Sequence, residues 1–280
     1  MPLDISKDPI MQKIAAGRTF DEQVQYIRKY ASHAAPGGLR ERLLDTVGIR
    51  KPQEKAENVL IFGCYVPFRI PSELKDSLDL LSQLGIEYTF LDDEYCCALP
   101  LIETTKGKER QQAEEAAEEF LGLNISQARE RGAKRVVYCC VWCAYLAKRF
   151  YGNCDLEQIY YYDLIAESLE KATLRLNPTV VGYYEGCHRR NRAWAPGISL
   201  DWPRYRKILG RIQGLEIVDL PHRTCCVFNS QRIIKEAEQH KVGAIVCSCV
   251  ACHTRIRAAS KGKISVKYLP EVLLGALQTR

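Results

Sequence analysis

Cysteine is the residue type whose number and spacing in this sequence point most directly to chemistry. The chain of 280 residues contains thirteen cysteines, and two pairs have Cys-x-x-Cys spacing, Cys140–Cys143 and Cys249–Cys252. In a secreted protein they would indicate disulfides, and the odd number would leave one unpaired. The sequence has no apolar signal segment at its start, and a chain of this length can bury a core without disulfides. The cysteines are therefore predicted to bind metal or to take part in catalysis.

An internal repeat organises these cysteines. The apolar segments Asn58–Cys64 and Thr179–Cys187 both end in a cysteine, and each is followed by a Cys-Cys pair and then by a Cys-x-x-Cys pair. The first set is Cys64, Cys96, Cys97, Cys140 and Cys143, and the second set is Cys187, Cys225, Cys226, Cys249 and Cys252. Cys139, Cys154 and Cys247 have no counterpart in the other half, and Cys154 is predicted to be a small buried apolar residue.

The segments between the cysteines predict strands that alternate with helices. Helices are expected from a Ser72 cap to Gly85 and from Lys106 to Arg131, where apolar residues recur at helical spacing. This alternation predicts an α/β fold of two tandem small Rossmann-like parallel-sheet domains that form an internal repeat. The predicted divisions are an N-terminal helical extension with a linker at 1–57, a first cysteine-rich domain at 58–175 and a second at 176–280. Ligands of parallel sheets bind at the carboxyl ends of strands, where the repeated cysteines stand.

Residues 1–57 have no counterpart in the repeat. They predict two short helices, at roughly 19–32 and 38–47, with a break at Pro36–Gly38. This extension either docks a partner or packs against its own domain. The second half also has a shorter segment between its Cys-Cys and Cys-x-x-Cys pairs, and so is predicted to lack most of the long charged helix.

Five cysteines per half exceed the needs of the simplest sites. Structural zinc takes four tetrahedral ligands, and an ordinary cubane cluster takes four cysteines. Neighbouring side chains such as Cys96 and Cys97 diverge and suit two metal atoms better than one. Since thiolates are soft ligands, a multinuclear iron–sulfur centre accounts for both features. Zinc is the main alternative, above all in the second half, and a redox-active dithiol is the alternative for either Cys-x-x-Cys pair.

The cysteine pattern resembles the cysteine-rich CCG domain family, most closely the B-type subunit of heterodisulfide reductase and its homologues. The resemblance covers about residues 58–280 and includes the Gly186–His188 segment. It implies that each set of five cysteines binds a noncubane [4Fe–4S] cluster, and that the clusters perform disulfide/thiol redox chemistry or act on carrier-bound sulfur. Ala98 and Val227 stand where the family has glycine. A valine there predicts altered geometry, and possible occupancy by zinc, at the second site.

The resemblance further implies a cytoplasmic complex with a flavoprotein subunit and a small ferredoxin-like iron–sulfur subunit. The sequence contains no GxGxxG or Walker-type loop, so no flavin or nucleotide is expected in this chain. No transmembrane segment is expected either, although peripheral membrane contact suits the alternative function. That alternative is an electron-transfer or membrane-anchoring quinone-side subunit of a succinate, lactate or glycolate dehydrogenase-type complex. The net charge of +6 is modest, and no finger spacing indicates nucleic acid.

A few other side chains are candidates for roles near the cysteines. His188 is a candidate proton donor to a leaving thiolate, or a surface residue. His222 and His253 are alternative zinc ligands, because each stands close to a cysteine of the second set. The basic segment Arg189–Arg192 would offset the charge of an anionic centre or form a solvated face. Trp142, inside the first Cys-x-x-Cys pair, would shield a cluster or belong to the core.

Overall fold

Two parallel sheets of four strands each form the framework of the protein. The computed structural model describes residues 18–33, 39–186, 195–221 and 225–278. The elements up to the end of the first sheet are α1 (Phe20–Tyr30), α2 (Leu39–Thr46), β1 (Asn58–Ile61), α3 (Val66–Arg69), α4 (Pro71–Gln83), β2 (Thr89–Phe90), α5 (Leu99–Thr104), α6 (Gly107–Glu130), β3 (Arg135–Tyr138), α7 (Val141–Tyr151) and β4 (Glu157–Tyr160). The remaining elements are α8 (Tyr161–Ser168), a 3-10 turn (Leu169–Lys171), β5 (Arg175–Tyr184), α9 (Trp202–Gly210), β6 (Gln213–Asp219), α10 (Cys226–Gln239), β7 (Ala244–Cys247), α11 (Val250–Ser260), β8 (Ser265–Tyr268) and α12 (Leu269–Gln278).

The two sheets have the same topology. The first has the strand order β2-β1-β3-β4 and the second has the order β6-β5-β7-β8, and every pairing is parallel. The central strand β1 is buried along its whole length, as expected for a parallel strand with both faces covered. The shared order confirms the predicted internal repeat and the α/β fold of two tandem sheets.

The chain passes between two compact units more than once. One unit comprises Met1–Phe68 and Glu87–Tyr160, and the other comprises Arg69–Ile86 and Tyr161–Arg280. The helix α4 therefore belongs to the second unit, where it packs against α12, although it connects two strands of the first sheet. The domain boundaries at 57/58 and 175/176 rest on the repeat in the sequence and stay predictions.

The start of α4 differs from the predicted one. Its N-cap is Ile70, which makes no side-chain capping hydrogen bond, and Pro71 is the first helical residue. The prediction that Ser72 caps this helix was wrong, because proline has no N–H to satisfy and its fixed φ suits the first helical position. The helix ends just before Gly85, as predicted, and Gly85 adopts a left-handed φ of +70°.

The N-terminal extension forms two helices that lie close to the predicted ranges. Thr19 and Glu22 form a reciprocal capping box, in which the Thr19 hydroxyl accepts from the Glu22 N–H at 3.3 Å and the Glu22 carboxylate accepts from the Thr19 N–H at 2.6 Å. The helix α1 packs against α6, where Arg28 pairs with Glu119 at 2.7 Å. The described part of the extension thus packs against its own unit, one of the two roles predicted for it.

The long charged helix is present in the first unit alone, within the described residues. The helix α6 has 24 residues and buries an apolar face that includes Phe120, Leu121 and Ile125. Its counterpart α10 has 14 residues, in line with the shorter segment of the second half. No helix in the described ranges is both long enough and apolar enough to cross a membrane.

Candidate metal centre

The first set of cysteines stands where the strand order of the first sheet reverses. Because β1 lies between β2 and β3, the chain leaves β1 toward β2 on one side and continues from β3 to β4 on the other. A crevice therefore opens between the carboxyl ends of β1 and β3, the usual place for a ligand in such sheets. Cys64 follows β1, and Cys140 follows β3 as the N-cap of α7.

Gly63 allows the backbone that follows β1 to approach Cys140 and Cys143 at the start of α7. Its φ is +83°, and a Cβ at this position would lie 2.7 Å from the Cys140 Cβ and 3.3 Å from the Cys143 Sγ. Glycine alone accepts both the left-handed backbone and this close contact. In the second unit, Gly186 has a φ of +102° directly before Cys187. Both units therefore have a glycine with positive φ directly before the first cysteine of the set.

The five cysteines of the first set form one continuous cluster of sulfur contacts. The Cys64 and Cys96 Sγ atoms are 3.1 Å apart. Contacts continue from Cys96 to Cys97, from Cys97 to Cys143 and from Cys143 to Cys140. The structure thus brings together all five cysteines that the repeat selected in this half, while their role as ligands stays a prediction.

Close packing of the sulfurs disfavours their ionisation. The contact with Cys64, together with burial, raises the pKa of the Cys96 thiol well above its usual value. The contact of Cys97 with Cys143 lowers the Cys97 pKa, but its contact with Cys96 and its burial outweigh this and leave the pKa raised. Contacts with Cys140 and Cys97 and burial raise the pKa of Cys143. A bound cation would reverse this balance, because thiolate is the form that ligates metal.

The sulfurs of the first set do not surround a single point. In the parts of the chain that the structure describes, no three Cys, His, Asp or Glu side chains converge as they would around one metal ion. Structural zinc requires four ligands in a tetrahedron around one centre. The chain-like arrangement of five thiols fits a group with several metal atoms better than it fits one ion.

Four cysteines of the second set stand at the N-termini of two helices that pack together. Cys225 is the N-cap of α10 and Cys226 its first residue, while Cys249 is the N-cap of α11 and Cys252 lies in its first turn. All four are buried. Helix N-termini carry partial positive charge, which favours thiolates there. The fifth predicted cysteine, Cys187, lies outside the described residues.

The backbone after the Cys-Cys pair differs between the two units. Ala98 precedes α5 with φ +51° and ψ 13°, a left-handed conformation that glycine adopts readily. Val227 lies inside α10, and that helix is kinked at Asn229, where φ is −136°. A β-branched residue is poorly suited to the left-handed region. The two Cys-Cys segments therefore differ in geometry, as the valine predicts.

Replacing Ala98 by glycine is expected to change stability by less than about 1 kcal/mol and to leave any metal content of the protein unchanged. Alanine in the left-handed conformation costs about 1–2 kcal/mol, and glycine removes this cost. Glycine also loses more conformational entropy on folding, which offsets part of the stability gained. Ala98→Val should instead destabilise by about 1–3 kcal/mol, since Ala98 is fully buried and a larger branched side chain would overpack it. Denaturant unfolding and bound iron, measured on both variants, separate these outcomes. Equal effects of glycine and valine would contradict the assigned backbone conformation.

A buried carboxylate that the sequence did not reveal holds the loop of Cys64. Glu94 follows β2, and its side chain is 1% exposed. It accepts hydrogen bonds from the backbone N–H of Phe62 at 2.8 Å and from that of Gly63, and it pairs with Arg40 at 3.1 Å. Burial raises the Glu94 pKa, and Arg40 opposes that rise. The carboxylate thereby fixes the two residues that lead into Cys64.

Five hydrogen bonds to Arg40, Asn124 and Ala31 hold the loop that bears Cys96 and Cys97. The Arg40 guanidinium donates to the carbonyl oxygens of Leu91 at 3.1 Å and Asp92 at 2.7 Å. Asn124 of α6 exchanges two hydrogen bonds with the Tyr95 backbone, at 2.7 and 2.8 Å. The Cys96 N–H donates to the Ala31 carbonyl at 2.8 Å. Asn124 did leave a signal in the sequence, since it is a polar residue on the apolar face of the long helix.

Several other predicted residues fall outside the described ranges. They are His188, Arg189, Arg190, Arg192 and His222. Among those described, Trp142 is half-buried, and His253 is fully buried with its Nε2 3.2 Å from the Val266 carbonyl oxygen. A backbone partner therefore already engages one His253 nitrogen, and its role as a zinc ligand stays a prediction.

Cys154 differs from its predicted character. The prediction of a small buried apolar residue was wrong, because this thiol is half-buried and hydrogen-bonded. It donates to the Leu156 carbonyl at 3.2 Å and accepts from Gln158 Nε2 at 3.3 Å. Cys139 and Cys247 are buried.

Comparison with known families supports the resemblance seen in the cysteine pattern. Residues 59–146 match the family model of the CCG cysteine-rich domain. The matched region includes all five cysteines of the first set. The match confirms the resemblance to this family for the first half of the repeat.

The curated relatives are subunits of one oxidoreductase. The D subunit of dihydromethanophenazine:CoB–CoM heterodisulfide reductase from Methanosarcina barkeri is 24% identical over 258 residues, which are 81% of this chain and 60% of that protein. The same subunit from Methanosarcina mazei is 25% identical over 190 residues, 63% of this chain and 44% of that protein. The chain therefore spans about 60% or less of the length of these relatives.

A solved structure shares the fold. A hypothetical protein from Helicobacter pylori matches 86% of this chain and 54% of its own, with a TM-score of 0.50 and 14% sequence identity. At this identity the likeness concerns the α/β fold alone.

Proposed function

We propose that this chain is the iron–sulfur subunit of a heterodisulfide reductase-like complex, and that it performs disulfide/thiol or carrier-bound sulfur redox chemistry at noncubane [4Fe–4S] clusters. The observation that carries the proposal is the cluster of five contacting thiols at the switch point of the first sheet. The similarity to heterodisulfide reductase subunits and the CCG match support an iron–sulfur redox subunit. The cluster type and the reaction are our inference.

The donor set favours iron over zinc in the first site. Five soft thiols are one more than zinc or a cubane cluster takes. Their contacts run from one sulfur to the next and do not centre on one ion. Because burial and mutual contact disfavour free thiolates, the site also needs a strongly positive group to be ionised. Several iron atoms would supply that charge at several sulfurs.

The cluster would supply the electrons and the affinity for sulfur, and this chain's residues would hold it in place. Cys64, Cys96, Cys97, Cys140 and Cys143 are the proposed ligands. Glu94 and Arg40 fix the backbone that leads to them, as described above. Cys96, Cys97 and Cys143 are buried, so the protein excludes water from that side, while Cys64 and Cys140 are half-buried. A substrate sulfur would therefore approach from the side of Cys64 or Cys140.

The second site is proposed to hold a similar group. Its ligands would be Cys187, Cys225, Cys226, Cys249 and Cys252. The helix N-termini at Cys225 and Cys249 would favour anionic sulfur. The different backbone at Val227 makes zinc the alternative occupant of this site. We further propose that electrons arrive from a flavoprotein and a small ferredoxin-like iron–sulfur subunit in a cytoplasmic complex.

Metal analysis of protein purified without oxygen tests the proposal. Two [4Fe–4S] clusters predict about eight irons and about eight labile sulfides per chain. About four irons with one zinc would indicate one cluster and one zinc ion per chain, as expected if zinc occupies the second site. Zinc without labile sulfide would refute the iron–sulfur function. Purification with membranes would instead favour an electron-transfer or membrane-anchoring subunit.

Replacing Cys97 by alanine is expected to lower bound iron by about the content of one cluster, about four atoms per chain, without unfolding the protein. The reason is that Cys97 connects Cys96 with Cys143 in the sulfur cluster. Cys139→Ala is the matched control, because Cys139 is also buried and stands beside Cys140 but is not in the repeated set. Its iron content and cluster spectra should match the wild type. The ligand assignment fails if the Cys97 variant keeps both.

A further inference from the structure

A cavity of about 210 Å³ lies beside Cys64 in the first unit. Its wall includes Lys29 and Tyr30 of α1, Glu41 of α2 and Asp93 of the loop after β2. We call it the Cys64 cavity. A large part of its wall comes from the N-terminal extension, which precedes the region that matches the CCG family. The shape and charge of this cavity are therefore set jointly by the N-terminal extension and by residues inside the matched region.

The cavity gives a small molecule access to one sulfur of the first site. Cys96, Cys97 and Cys143 are buried, whereas Cys64 is half-buried and lines the cavity. The volume equals about seven water molecules at ~30 Å³ each. It therefore admits a thiol arm of a few heavy atoms and excludes a large carrier molecule.

Several charged residues of the cavity wall are already neutralised by ion pairs. Arg28 pairs with Glu119, and Arg40 pairs with Glu94. Asp92 pairs with Lys51 and Arg131.

Three charged residues remain on the wall. Lys29 stacks over Tyr30 with its Nζ 5.1 Å from the ring centre. Glu41 and Asp93 form no ion pair with any residue that the structure describes, so the remaining balance is one negative charge. A cluster held by thiolates would add to it.

We propose that the Cys64 cavity admits the thiol end of small sulfur compounds to the first site, and that Glu41 and Asp93 make it prefer cationic compounds over anionic ones. This inference rests on the proposed function, since it assigns the route by which sulfur reaches the cluster. All three charged residues are exposed, so water and salt screen the preference. At low salt we expect a preference of about fivefold.

Three small thiols that differ in charge test the preference. Cysteamine is cationic, 2-mercaptoethanol is neutral and 3-mercaptopropionate is anionic near neutral pH. Each is titrated into anaerobic protein with its clusters bound, and the change in the cluster's visible and EPR spectra is followed. In the wild type, the negative wall charges should lower the half-saturating concentration of cysteamine relative to that of 3-mercaptopropionate by about fivefold. The preference should shrink in 1 M salt.

The variant Glu41→Gln/Asp93→Asn separates the cavity from the intrinsic chemistry of the thiols. For each protein, the half-saturating concentration of 3-mercaptopropionate is divided by that of cysteamine. Dividing the wild-type ratio by the ratio of the variant cancels the effect of the different thiol pKa values. We expect this quotient to be about five. Glu157→Gln removes an exposed carboxylate at the amino end of β4, at the edge of the parallel sheet opposite to Cys64, and should leave the ratio unchanged.

The outcomes distinguish failure of the cavity as an access route from failure of the proposed iron–sulfur function. If the clusters respond to thiols but the quotient is one, the Cys64 cavity is not the route and the proposed function stands. If the protein binds no iron–sulfur cluster, the proposed function fails first. A quotient near five, with the ratio unchanged in Glu157→Gln, supports both the cavity as the route and the proposed function.

Discussion

Replacing Arg40 by alanine is expected to lower the free energy of unfolding of the first unit by about 3–5 kcal/mol and to reduce the iron that we propose for the first site. Arg40 is the cation beside the Glu94 carboxylate, whose side chain is 1% exposed. Its loss leaves a buried charge without its partner and frees the carbonyl groups of Leu91 and Asp92. Hydrogen exchange of β1 and β3 reports the stability of this unit, and iron analysis reports the site.

Two comparisons isolate the buried pair from a general effect of arginine. Arg28→Ala breaks the exposed pair with Glu119, in which both side chains are 43% exposed, and should cost less than about 1 kcal/mol. Arg40→Lys keeps the charge but loses part of the forked geometry, and should fall between the two. If Arg40→Ala costs no more than Arg28→Ala, Glu94 does not depend on Arg40 for its burial.

The sequence was sufficient to predict where the first set of cysteines lies in the fold. Asn58–Cys64 is an apolar segment that ends in a cysteine, and Arg135–Cys140 has the same pattern. In parallel βαβ units such strand ends meet at one edge of the sheet. The positions of Cys64 and Cys140 therefore follow from periodicity and topology alone.

The supporting residues of the site were beyond local sequence patterns. Glu94 closes the acidic run Asp92–Glu94, which is typical of a solvated loop. Its burial depends on Arg40, which lies 54 positions earlier in the sequence. A charged residue is rarely buried without a partner of opposite charge close to it in the fold. A single sequence does not show which distant residues become such neighbours.

The placement of α4 shows a second limit of local reasoning. Its helical pattern and its end before Gly85 were predicted from the leucine spacing. Its membership of the second unit depends on contacts with α12 and on an ion pair between Glu73 and Arg257. These partners are distant in sequence, so no pattern within α4 indicates them.

The N-terminal extension contains a buried histidine that couples stability to pH. His33 is 5% exposed, and its Nε2 lies 3.2 Å from the Gln23 side-chain oxygen. Burial, with a smaller contribution from the positive charge of Arg18, lowers the His33 pKa from 6.5 to about 4. The folded protein thus holds the ring neutral at pH values where the unfolded chain already binds a proton.

Acidification from pH 6.5 toward pH 4 is therefore expected to destabilise the first unit by about 3 kcal/mol through His33, at about 1.4 kcal/mol per pH unit. The stability is fully present above the unfolded pKa of 6.5 and is lost as the pH falls through the folded pKa of about 4. His33→Gln cannot titrate, so its unfolding free energy should lack this part of the pH dependence. The exposed His240→Gln should behave as the wild type does. Equal slopes for the wild type and His33→Gln between pH 6.5 and 4.5 would show that His33 is protonated in the folded state, and hence that the extension does not exclude water from it.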